Sequence, residues 1–70
     1  KMEIQIVKNV IEIQNILRKA KIKSEIDITV YGNYIYAYRA NGSVKPFSVS
    51  QKINQVQQWV DLYQSGEIEI

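Results

Sequence analysis

Tyr31–Gly42 reads YGNYIYAYRANG, and the way this stretch folds decides the architecture. It holds four of the five tyrosines, with Tyr34, Tyr36 and Tyr38 at every second position. Strand side chains alternate between faces, so this period lines the three phenols along one side of a sheet. Gly32-Asn33 near its start and Asn41-Gly42 at its end are turn dipeptides, because both residue types tolerate positive φ. Two further strand-like runs lie outside them. SEIDITVY (Ser24–Tyr31) sets Ile26, Ile28 and Val30 on one side, and VKPFSV (Val44–Val49) follows the Asn-Gly turn. The pattern predicts an antiparallel meander of three strands joined by two tight hairpins.

Two-residue hairpins fix register, and register fixes faces. With Tyr31 opposite Tyr34 and Ala40 opposite Ser43, one side carries Ile26, Ile28, Val30, Ile35, Ala37 and Val44. The other carries Thr29, Tyr31, Tyr34, Tyr36, Tyr38, Phe47 and Val49. A bulge near Pro46 is the alternative that swaps Phe47 and Val49 between faces.

Working outward, Met2–Val7 alternates, with Ile4 and Ile6 on one side, and reads as a strand. Asn9 and Glu12 then have the spacing of a capping box for a helix over Val10–Lys21. The competing reading is one long helix from Met2 onward. A second helix is predicted over Gln51–Gln64, with Ser48 or Ser50 as N-cap and Gly66 as the stop. Its apolar stripe is Ile53, Val56, Val60 and Tyr63, with Trp59 and Leu62 alongside. The tail EIEI can add a short edge strand. The expectation is a single α+β domain over residues 1–70: a small two-layer fold, β-α-β-β-β-α, a three-stranded antiparallel meander with two helices and potential extra strands at both ends.

Composition removes whole classes of chemistry. The chain has no Cys and no His, which excludes disulfides, thiolate or imidazole catalysis and the commonest metal ligands. The seven acids (Glu3, Glu12, Glu25, Asp27, Asp61, Glu67, Glu69) show no spacing that points to paired acid–base work. No glycine-rich loop precedes a helix, so no phosphate cradle is read. The expectation is a non-enzymatic protein without cofactor or metal. No apolar run is long enough for a membrane span, no secretory signal is read, and the lack of Cys points to the cytoplasm. Asn41-Gly42-Ser43 matches a glycosylation acceptor, but reads more simply as a hairpin turn. A 70-residue chain buries only ~60% of its unfolded surface, so self-association is the reinforcement left to it.

Candidate binding residues follow. Short connections favour both helices on the aliphatic side of the sheet, which leaves Tyr31, Tyr34, Tyr36, Tyr38 and Phe47 bare as a surface for a protein partner or a second copy. If the helices instead cover opposite faces, the tyrosines are core. The second helix is rich in Asn54, Gln55, Gln57, Gln58 and Gln64, and depletion of charge beside Trp59 marks that residue as a partner anchor, the equal alternative being that Trp59 caps the core. The alternative is a nucleic-acid-binding module in which the tyrosines stack on bases while Arg18, Lys19, Lys21 and Lys23 hold phosphates. Arg39 and Lys45 would join it, although the register above points them to opposite faces. A net charge of +2 is too small to favour this by itself.

Helix, three strands and helix in this order resemble double-stranded RNA-binding domains, whose last helix opens with a lysine-rich segment. The matching stretch here, SVSQKINQVQQ, offers Lys52 alone, so the resemblance is one of element order. A meander followed by a helix is also similar to the DNA-binding arm domains of phage integrases, without their basic sheet face. The small, cofactor-free character resembles phage-encoded inhibitors, including anti-CRISPR proteins, as a class. The sequence reading is thus a small binding protein, an inhibitor or regulator, that works by aromatic burial and self-associates.

Overall fold

The computed structural model of the chain describes residues 2–29 and 32–68. The order is α1 (Met2–Lys19), β1 (Lys23–Thr29), β2 (Gly32–Tyr38), β3 (Val44–Ser48) and α2 (Ile53–Ser65). The three strands form one antiparallel sheet in sequential order. This is the α+β meander with two helices that the sequence predicts.

The N-terminal strand is replaced by the competing long helix. Ile4 and Ile6 alternate, but Ile6, Val10, Ile13 and Leu17 also recur at helical spacing, with no Gly or Pro to interrupt them. Extending an existing helix fixes one residue for each new hydrogen bond, whereas a separate strand needs a sheet edge to pair with. Asn9 is therefore mid-helix and caps nothing. Its Nδ2 donates to the Val49 carbonyl at 2.9 Å, and its Oδ1 accepts from Gln5 Nε2 at 2.9 Å.

Both helices end in the same way. Ile22 N–H donates to the Leu17 carbonyl and Lys21 N–H to that of Arg18, each at 2.9 Å, with Lys21 at φ 60°. Glu67 and Gly66 repeat the pattern on Leu62 and Tyr63, with Gly66 at φ 82°. These are Schellman closures, and buried Ile22 against buried Leu17 supplies the apolar contact that goes with the first. Lys21 takes a left-handed conformation that suits Gly. Lys21→Gly should relieve that strain and stabilise the domain by about 0.5–1 kcal/mol net of the added chain entropy. A lower urea midpoint for the variant would contradict this. At its other end α2 starts after Lys52, two residues beyond Ser50, with no side-chain cap; Ser48 and Ser50 hydrogen-bond to each other at 2.8 Å.

Neither hairpin keeps the register read in the sequence. Between β1 and β2, Thr29 pairs with Gly32 and Ile26 with Ile35, so Gly32-Asn33 lies in the strand. Relative to the expected register this is a slip of four residues, an even number that leaves faces unchanged. Between β2 and β3, Arg39 N–H donates to the Ser43 carbonyl and Gly42 N–H to that of Arg39, closing a three-residue loop with Gly42 at φ 87°. Tyr38 now opposes Val44 and Ile35 opposes Phe47. This slip is one residue, an odd number, and it inverts β3. Phe47 moves to the aliphatic side and Val44 to the tyrosine side.

The core fills that aliphatic side. Ile35, Ala37 and Phe47 are fully buried there against Ile13 and Leu17 of α1 and Val56, Trp59 and Val60 of α2. Both helices therefore cover one face of the sheet. Of the predicted C-terminal strand, Glu67 and Ile68 are not extended into the sheet, and residues 69–70 lie outside the described residues.

Candidate protein-binding face of the sheet

Away from the helices, β2 carries Tyr34, Tyr36 and Tyr38 in a row. Tyr34 is 37% exposed, and Tyr36 and Tyr38 are half-buried by their strand neighbours. The Tyr34 and Tyr36 rings lie 6.3 Å apart, tilted by 38°. Tyr34 leans back along the strand over Gly32, its ring at ordinary van der Waals distance from where a Cβ would stand, 3.5 Å.

Register sets the rim of the row. On β1, Lys23 opposes Tyr38, Glu25 opposes Tyr36 and Asp27 opposes Tyr34. On β3, Val44, Pro46 and Ser48 oppose Tyr38, Tyr36 and Tyr34. The face is thus an aromatic centre with an acidic margin on one side and an apolar margin on the other. Tyr38 Oη donates to Glu25 Oε2 at 3.4 Å, a diagonal cross-strand contact. Partial desolvation first, then the Glu25 and Asp27 charges, hold the Tyr38 phenol above its ordinary range.

The other predicted partner-binding residues lie elsewhere. Tyr31 is outside the described residues. Phe47 is fully buried, because the odd register slip turned it inward. Trp59 is 8% exposed and belongs to the core: its ring meets Phe47 edge-on at 5.2 Å and stacks on Tyr63 at 5.3 Å. Neither is a free anchor.

The residues of the nucleic-acid reading also separate. Arg39 and Lys45 share a face, contrary to expectation, and it is the helix side. The Arg39 guanidinium lies 5.4 Å from the Trp59 ring and donates to Ser43 Oγ at 3.1 Å, while its buried Nε has no partner. Lys45 Nζ sits 5.7 Å from the Phe47 ring. Both cations roof the core and do not flank the tyrosines. Arg18 and Lys19 occupy the last turn of α1, where they complement the helix dipole. Lys19 lines a cleft of about 370 Å³ between the helices with Glu12, Gln57 and Gln64. Lys23 alone of the six borders the tyrosine row.

Sequence reading missed one surface. Ile4, Val7 and Ile11 are 52–59% exposed on α1, and Ile28 on β1 is 73% exposed. The signal was their i, i+3, i+7 spacing, hidden by the strand assignment of Met2–Val7. Among the described residues no helix is long and apolar enough to cross a membrane, and no three acidic side chains gather to hold a metal ion. The chain matches no protein-family model, no curated protein and no solved structure.

Proposed function

We propose that this is a non-enzymatic binding protein that covers part of another protein with the tyrosine face of its sheet, as an inhibitor or regulator acting by occlusion. The observation that carries this reading is the row Tyr34, Tyr36 and Tyr38, exposed at Tyr34 and half-buried at the other two, on the sheet face that neither helix covers. Tyrosines bring large, rigid contact area with a hydroxyl at the rim, the residue type that anchors protein interfaces. Glu25 and Asp27 along one margin favour a partner that sets Lys or Arg around an apolar centre. The same carboxylates repel phosphates, so the geometry supports a protein partner over a nucleic acid.

The test is peptide display selected against the wild-type protein, with Tyr36→Ala as the comparison. Enriched peptides should combine aromatic or aliphatic residues with Lys or Arg, and Tyr36→Ala should weaken them at least tenfold while the circular dichroism spectrum is kept. Equal binding by the variant would end the proposal. Selective capture of a single-stranded oligonucleotide, with affinity falling steeply as salt rises, would favour the nucleic-acid reading instead.

A further inference from the structure

We propose that the apolar groove between α1 and β1 is the seat of a second copy of this chain, packed two-fold symmetrically with the α1 helices antiparallel and crossing at Val7. The groove measures about 230 Å³ and is walled by Ile6, Val7, Val10, Ile11, Ile26 and Ile28, with Asn33 as its one polar residue. It offers no charge to a small ion or a phosphate. Water gains little there, and the sequence of α1 shows why the surface is not core: Ile6, Val10, Ile13 and Leu17 already face the sheet, and Ile4, Val7 and Ile11 form a second stripe beside them.

Area and symmetry choose the occupant. A folded monomer of 8.1 kDa should expose roughly 4,500 Å² by the usual size scaling. This chain exposes 5164 Å². The excess is close to the ~800 Å² that each partner buries in a standard interface. A helix seated in a groove reads as anchors at i, i+3 and i+7, which is the spacing of Ile4, Val7 and Ile11. The stripe is also nearly symmetric about Val7, so an antiparallel copy brings Ile4 against Ile11 of its partner, as an isologous contact requires. Exposed Lys8 and Glu12 beside the stripe supply a polar rim. The tyrosine face takes no part, so this proposal and the one above stand or fall separately.

Sedimentation equilibrium of the full chain, from micromolar to near-millimolar concentration, should give twice the 8.1 kDa of one chain. Val7→Asp and Ile28→Asp, both at exposed positions, should each shift the equilibrium at least a hundredfold toward monomer with unchanged circular dichroism. Tyr36→Ala should leave the mass unaltered. Because the protein has no cysteine, Val7→Cys gives an unambiguous probe and should oxidise to a disulfide-linked dimer, while Asn54→Cys on α2 should not. A wild-type monomer throughout the range overturns the proposal. So does a dimer that survives both aspartates, one lost through Tyr36→Ala, or one in which Val7→Cys fails to cross-link. Should an aspartate variant unfold, the cysteine pair decides.

Discussion

Phe47→Ala should destabilise the domain by about 3–5 kcal/mol, the range for emptying a buried aromatic site. A chain of this length has only some 4–10 kcal/mol of stability in total, so this one substitution should remove a large share of it. The reason is the single-residue slip in the β2–β3 pairing. Phe47 stands opposite Ile35, fully buried, with its ring against the edge of Trp59. Had Asn41-Gly42 formed a two-residue turn, the same side chain would lie among the tyrosines and its truncation would cost a few tenths of a kcal/mol. Urea denaturation followed by circular dichroism separates the cases, and a loss under ~1 kcal/mol would place Phe47 on the open face.

Trp59→Ala should be nearly as damaging, at roughly 3–4 kcal/mol. The ring fills space between the sheet and α2, stacks on Tyr63 at 9° between planes, and carries the Arg39 guanidinium. Removing it leaves a cavity and also exposes Arg39, whose buried Nε has no hydrogen-bond partner even in the intact protein. A surface anchor would behave in the opposite way, losing partner affinity with little change in stability. Because Phe47 and Trp59 touch, the double variant should be less destabilised than the sum, with a coupling of about 0.5–1.5 kcal/mol. Strict additivity would mean the two rings do not share one packed site.

These two residues also mark where the sequence was legible. Period-two alternation around Ile35 and Tyr36 announced the meander and sorted β1 and β2 into faces correctly, because the first hairpin slipped by an even number. Nothing local to Asn41-Gly42 tells a two-residue loop from a three-residue one that includes Ala40. Only the burial of Phe47 against Trp59, a contact between distant segments, selects the longer loop. At the N-terminus, Ile4 and Ile6 satisfy a strand while Ile6, Val10 and Ile13 satisfy a helix, and the packing of Ile6 beside Val10 against the buried cluster goes with the helix. The tyrosine row was readable because an exposed face keeps its own period. The α1–β1 groove was not, since it exists only when α1 is helical from its first turn.

The tie between Asn9 and the Val49 carbonyl, forty residues apart, bears on how the protein is made. The two hairpins join neighbours in sequence and can form while the chain is still emerging. α1 is synthesised first, yet Ile13 and Leu17 share their buried cluster with Val56 and Val60, which come late. Synthesis proceeds at about 5–20 residues per second, so α1 waits seconds for its partner, far longer than a helix or hairpin needs to form. During that interval the Ile13–Leu17 face of α1 lacks the α2 residues that bury it. The last helix of the domain is therefore what closes the Ile13–Leu17 face of its first.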